Sequence, residues 1–319
     1  MPVRVRVPAT SANLGPGFDA LGLALDLYNV IEMELTGDGL VMEATGTGAG
    51  EIPRDESNLI VRAAQKVFRA VGLPKPGLTI RVTNEIPPAR GLGSSAAAII
   101  GGLVAANELV GAPLGTDELL AMALEEEGHA DNITAALLGG VTVAGVVGRN
   151  VRYLPVPLPV APPVVVVIPD YPLPTWEARA VLPKAVPFAD AIFNVGRAAL
   201  LVTALATGRW EALSLATEDR LHQPFRRHLL PGMTEAFQAA ARAGAAGMAL
   251  SGSGPTVLAF APEAPQRVLA AMQKAYAEQG IATTGRVCQI SPRGAQIITE
   301  IEEKPGVVGE GAPRGGAGE

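Results

Sequence analysis

Four groups of residues in this sequence have the types and spacing that chemistry needs. The first is Pro87-Pro88-Ala89-Arg90-Gly91-Leu92-Gly93-Ser94-Ser95-Ala96-Ala97. A strand-like run over 78–82 leads into it and a small-residue helix over 95–109 leads out. Strand, glycine-serine loop and helix N-terminus suit an anion, because the first helical N–H groups lack intrahelical partners and the dipole there is positive. Gly91 and Gly93 let backbone approach the anion, while Ser94 and Ser95 offer hydroxyls to phosphate oxygens or to a metal ion. On spacing alone, a phosphate cradle and a ligand-free turn fit equally. A Walker A loop is excluded, since no lysine lies here, and Ser94-Ser95-Ala96 stands where a dinucleotide fingerprint needs its third glycine.

The second group is acidic. Thr116-Asp117-Glu118 opens a helix to about residue 127, which runs out through Glu125-Glu126-Glu127-Gly128-His129-Ala130-Asp131-Asn132. Three acids at a helix C-terminus oppose the dipole, so either a metal cation compensates them or they form a solvated patch. The third group is the polar loop from Pro8 to Asp19, a ligand-binding loop or a plain turn between strands. The fourth, Gly247 to Val257, is a second glycine-serine loop, either phosphate-facing or a tight hairpin. Thr175 and Arg179 share a face if helical, and Leu221-His222-Gln223-Pro224-Phe225-Arg226-Arg227 adds further arginines. Together these parts suggest phosphoryl transfer, which needs a phosphate cradle, Mg²⁺ on a carboxylate or hydroxyl, and an acceptor hydroxyl held in line.

The elements that must position these groups are partly legible. Residues 1–7 alternate like a strand and 21–33 continue as apolar extended chain. Residues 57–71 have helical periodicity, with Ser57 or Asn58 as cap. Residues 133–147 read as strand-like with a turn at Gly139-Gly140, and the proline-rich stretch 155–163 reads as a linker. Val164 to Ile168 is a buried strand; 190–207, 209–219 and 266–279 are helices. The predicted division is 1–155, 156–302 and a disordered glycine- and proline-rich tail, 303–319.

The chain has 319 residues, 25 Lys and Arg against 31 Asp and Glu, and a formal net charge of −6, which disfavours nucleic acid as a partner. Cys288 is the single cysteine, so no intrachain disulfide forms; a buried inert thiol in a reducing compartment is expected. The N-terminus lacks a signal-peptide pattern, and the most apolar run is far too short to span a bilayer, so a cytoplasmic protein without a membrane partner is expected.

The motifs at 8–19, 87–97, 127–132 and 250–256 resemble those of the GHMP kinases. The opening motif, together with Ala178-Arg179-Ala180-Val181-Leu182-Pro183 and the run around Arg226, is most similar to the homoserine kinase branch. The resemblance runs in order from residue 3 to about 300. It implies an α+β fold of two domains, the first like ribosomal protein S5 domain 2 and the second ferredoxin-like, with the active site between them. It implies ATP-dependent phosphorylation of L-homoserine, with Mg²⁺ as cofactor, and it is compatible with a homodimer. By motif, Pro87 to Ala97 wraps the ATP phosphates, Asn58 approaches the adenine, and Glu127 with Ser94 holds Mg²⁺, Glu125 being the alternative. Thr175 approaches the transferring phosphoryl group; Asn13, Asp19, Asp131, Asn132, Arg179 and Arg226 line the homoserine pocket. Whether Asp131-Asn132 supplies a general base stays open.

Overall fold

The computed structural model describes residues 1–73 and 75–299, so the expected disordered tail at 303–319 lies outside the described residues. In the first sheet, β1 (Val3–Ala12) and β2 (Leu21–Thr36) pair antiparallel from Val3 opposite Met33 to Ala12 opposite Gly22. The register shifts at Pro8/Ala9, where proline has no N–H to give the ladder. Residues 8–12 are thus strand rather than loop, and the connecting loop begins at Asn13. β3 (Leu40–Gly46) crosses through α1 (Leu59–Ala70) to β4 (Gly77–Asn84), its parallel neighbour. A parallel pair requires such a crossover.

The glycine-serine loop follows β4 and opens α2 (Ser94–Leu109), which packs on α1 and β1. Then come α3 (Thr116–Glu127), α4 (Asp131–Leu138) and the hairpin of β5 (Val141–Val147) and β6 (Asn150–Val156). The strand-like reading of 133–147 is half corrected here: 133–138 is helix, because Asp131 sits at the positive end and alanines replace β-branched residues in the second half. Gly139, at φ +83°, stops the helix rather than turning a hairpin.

The second body contains β7 (Val164–Pro169), α5 (Thr175–Ala180), α6 (Phe188–Thr207), α7 (Leu213–Ala216), α8 (Gln223–Arg226) and α9 (Met233–Arg242). It closes with β8 (Gly247–Leu250), β9 (Val257–Phe260), α10 (Pro265–Glu278) and β10 (Thr283–Cys288), in an antiparallel sheet ordered β10-β7-β9-β8. The helix expected over 209–219 is instead a short 3₁₀ turn, Trp210–Ala212, followed by the four-residue α7. β11 (Gln296–Ile297) returns to pair with β1. The α+β class agrees with expectation. Among the described residues one helix, α6, is long and apolar enough to cross a membrane by length and composition. Its inward residues Leu201, Ala204 and Leu205 belong to the main aliphatic core.

Candidate active site

The site grows from the end of α2. Gly93 precedes the helix at φ +67° and gives it no side-chain cap, so the first-turn N–H groups keep their capacity for an anion. The loop before it is held by hydrogen bonds from three segments. Thr10 N–H donates to the Leu92 carbonyl (3.0 Å), Leu173 N–H to Ala89 (3.1 Å) and Thr256 N–H to Arg90 (3.2 Å). Ser251 Oγ donates to the Gly91 carbonyl at 2.6 Å. The second glycine-serine loop is thus a β8–β9 hairpin that clasps the first, while its own Gly252 and Ser253 face the same cavity.

Two cavities meet at Ala89, Ser94 and Ser95. One, of about 260 Å³, is lined by Asn13, Asp19, Glu127, Asp131, Arg179 and Arg226 among others. The other, of about 290 Å³, lies between Asn58, Ile52, Pro53, Val82 and Pro88 and is mostly apolar. A flat apolar group fits the second and a small charged molecule the first, with the helix N-terminus between them.

Electrostatics in the charged cavity are balanced. Arg179 donates to both oxygens of Asp19, at 3.1 and 2.6 Å. Burial opposes the Arg179 charge, but Asp19 outweighs it and holds the guanidinium above its ordinary pKa. Arg226 is 1% exposed, and burial with the nearby Arg179 charge lowers its pKa to about 10, still cationic at neutral pH. Phe18 carries both guanidinium groups, at 5.5 and 5.4 Å from its centroid. Asp131 is buried but paired: one oxygen accepts from Asn132 N–H (2.8 Å) and lies 3.0 Å from His129 Nδ1.

The acidic run is resolved by partition. Lys66 on α1 binds Glu125 (2.7 Å) and Glu126 (3.2 Å), and Arg62 also binds Glu126. Basic residues therefore neutralise two of the three acids, and Lys66 holds the Glu125 carboxyl below its ordinary pKa. Glu127 turns to the cavity, where Ser95 Oγ donates to it. Among the described residues no group of three or more His, Cys, Asp or Glu could hold a metal. One carboxylate beside two serine hydroxyls is an all-oxygen set, which suits Mg²⁺, an ion that usually keeps waters and takes substrate phosphates.

The GHMP kinases N terminal domain profile matches residues 58–140, and the GHMP kinases C terminal profile matches 201–278. A homoserine kinase of Caldanaerobacter subterraneus subsp. tengcongensis is 46% identical over 93% of this chain and 95% of its own. One of Carboxydothermus hydrogenoformans is 49% identical over 82% and 86%. The crystal structure of homoserine kinase from Cytophaga hutchinsonii superposes with a TM-score of 0.84 at 30% identity, covering 93% of this chain and 97% of that one. The chain belongs to the homoserine kinases of the GHMP kinase family. It is an ATP-dependent kinase.

Not every residue expected at the site lines one of the two cavities. Asn13, Asp19, Asp131, Asn132, Thr175, Arg179 and Arg226 line one cavity although they come from four separate segments, the 13–19 loop, α4, α5 and α8. Asn58 lines the other, with its side chain engaged as cap: its Oδ1 accepts from Ile60 N–H and its Nδ2 donates to Pro53. Pro87, Leu92, Ala96, Ala97 and Glu125 line neither cavity; Leu92, Ala96 and Ala97 are core residues behind the loop. His129, Phe18 and Ser253 also line the first cavity, although their types and spacing in the sequence do not single them out as site residues. His129 alone carries a weaker signal, since it is flanked by Glu127 and Asp131 and helical ends bring such neighbours together.

Burial of His129 favours its neutral form, but the Asp131 hydrogen bond and the Asp131 and Glu127 charges outweigh it, so its pKa is raised. A raised histidine pKa stabilises the fold fully below the unfolded value of about 6.5 and loses that contribution as pH rises through the folded value. In ligand-free protein, the melting temperature of wild type minus that of His129→Gln should be largest near pH 6 and shrink towards pH 8.5. A difference constant with pH would show that His129 is not protonated by this cluster.

Proposed function

We infer that the kinase transfers the γ-phosphoryl group of ATP to the side-chain hydroxyl of L-homoserine, giving ADP and O-phospho-L-homoserine, a step of threonine biosynthesis. The observation that carries the substrate assignment is the Asp19–Arg179 ion pair with Arg226 beside it, next to an uncapped helix N-terminus. An amino-acid zwitterion can open that pair without leaving a charge unmatched. Its ammonium takes Asp19 and its carboxylate takes the two guanidinium groups. Mevalonate has no ammonium and would leave Asp19 without that partner.

The backbone of 88–95 and the α2 N-terminus receive the phosphates, and the apolar cavity at Asn58 receives the adenine. Glu127 with Ser94, and Ser95 beside them, would hold Mg²⁺, which would supply positive charge against the phosphate oxygens. Asn132 Oδ1 already accepts from Thr10 Oγ1 at 2.7 Å, which turns its Nδ2 donor to the acceptor hydroxyl. Asp131 is fixed beside it, and Thr175, on the first turn of α5, faces the transferring group. The hydroxyl oxygen bonds to the γ-phosphorus as the bridging oxygen leaves with ADP, and the hydroxyl proton is released. A biosynthetic role of this kind belongs in the cytoplasm. A homodimer through the uncharged outer face of α6, where Phe188, Ile192 and Val195 lie exposed, accords with it and is read by light scattering.

The test is ADP release by purified protein with homoserine, mevalonate and a sugar as acceptors. Homoserine-dependent release is expected; turnover of another acceptor without it would sink the assignment. Glu127→Gln should raise the Mg²⁺ concentration for half-maximal rate by about tenfold, since one of the ion's one or two carboxylate ligands is lost. Glu125→Gln, already committed to Lys66, should leave it within about twofold. The reverse pattern would move the metal to Glu125.

A further inference from the structure

His222 has no part in the arrangement above, yet it is fully buried behind the substrate cavity. Its Nδ1 lies 3.1 Å from Arg226 Nη1 and its Nε2 lies 2.7 Å from the Gly15 carbonyl oxygen. Arginine only donates and a carbonyl only accepts, so Nδ1 must be the acceptor and Nε2 must carry the hydrogen. The ring is therefore neutral, and its tautomer is fixed by its two partners. Burial lowers its pKa in the same sense, against the pull of Asp219.

The imidazole is itself held on every side. Asp219 accepts the backbone N–H groups of Leu221, His222 and Gln223, which sets the turn. Phe18 stacks on the ring at 5.1 Å, and the same Phe18 underlies Arg226. Gly15 sits in the loop that carries Asn13 and Asp19, at φ +87°, packed against the Thr217 carbonyl. His222 thus touches both halves of the pocket: the guanidinium on α8 and the loop bearing the acid.

We propose that His222 is a positioning residue for the acceptor substrate, one neutral imidazole holding Arg226 through Nδ1 and the Asn13–Asp19 loop through Nε2–H so that cation and anion keep a fixed separation. It acts through Arg226 and touches no substrate atom. The proposal rests on the reading that homoserine lies against Arg226 and Asp19.

Two substitutions in the full chain separate positioning from space-filling. His222→Phe keeps a ring against Phe18 and removes both hydrogen bonds. His222→Asn loses the ring but returns an acceptor where Nδ1 stood. With ATP and Mg²⁺ present, Phe should raise the KM for homoserine about tenfold or more, the scale of a lost hydrogen bond to a charged group, with the KM for ATP within about twofold. Asn should bring the homoserine KM back to within about threefold of wild type. A residue that only fills the core gives the opposite order, Phe near wild type and Asn worse, and that order overturns the proposal. In an Arg226→Lys background, Phe should add less than about twofold; a full tenfold there also overturns it. Nitrogen-15 NMR of histidine-labelled wild-type protein needs no variant. The His222 ring should be the Nε2–H tautomer at pH 7, with Nδ1 shifting on addition of homoserine; the other tautomer or a charged ring refutes the assignment. If Arg226→Ala itself leaves the homoserine KM unchanged, the substrate placement has failed; if only the His222 variants do so, the positioning role has.

Discussion

Arg226→Ala should raise the KM for homoserine about a hundredfold while the KM for ATP stays within about twofold. The side chain is buried, and Nε and Nη1 are committed: Nε to the Ala178 carbonyl (3.0 Å), Nη1 to Gly252 (3.1 Å) and His222. Among the described residues Nη2 has no hydrogen-bond partner, and Arg226 lines the cavity. A guanidinium anchored by two of its nitrogens and open at the third is preorganised for a carboxylate. Removing one partner of a buried charge pair costs about 2–5 kcal/mol, and 1.4 kcal/mol is tenfold in affinity, so a hundredfold sits at the lower end. Arg226→Lys keeps charge but not the planar fork, and should recover only part of the loss. Steady-state kinetics with each substrate varied in turn decides it. Equal weakening of homoserine and ATP would move Arg226 out of the acceptor pocket.

Gly91→Ala should cost the fold about 2–4 kcal/mol and lower kcat/KM for ATP by about a hundredfold. Gly91 has φ +76°, which costs an L-residue roughly 1–2 kcal/mol. A Cβ there would also collide with the Ser251 carbonyl and lie 2.8 Å from the Gly254 carbonyl oxygen. Both obstacles are backbone of the clasping hairpin, which cannot rotate aside. The loop must withdraw, and Ser251 Oγ and Thr256 N–H lose their acceptors at Gly91 and Arg90. Gly140→Ala is the control, since Gly140 has φ +65° with open space around its Cβ position. It should lose about 1 kcal/mol and keep wild-type kinetics. Thermal melts and ATP kinetics on both variants separate backbone strain from loss of the clasp; identical kinetic losses would show that the clasp is irrelevant.

Local pattern carried much of the fold. α1, α2, α3 and α10 stand within a residue or two of their expected ends, because caps, periodicity and stop glycines are written in adjacent residues. β3 left no expectation, since Leu40-Val41-Met42-Glu43 owes its strand state to a parallel neighbour supplied by β4. α4 differs from the strand its sequence suggests, because a short apolar run does not distinguish helix from strand until Asp131 and Gly139 are placed.

For the site, the sequence by itself determined the strand, glycine-serine loop and helix start over 78–109, since these are contiguous and act through local backbone, while spacing left a phosphate cradle and a ligand-free turn equally open. The motif resemblance grouped the scattered residues proposed for the acceptor pocket, but their mutual geometry around one cavity was beyond it. Only the tertiary structure decided which of three adjacent glutamates faces the cavity. Lys66 and Arg62 lie on another helix, about sixty residues away in sequence, and charge pairing across that gap is set by packing. The same holds for the Asp19–Arg179 pair and for the His222 bridge between Gly15 and Arg226. Long-range hydrogen bonds depend on distances of a few tenths of an ångström, and a chain acquires those only when its two sheets and their helices are docked.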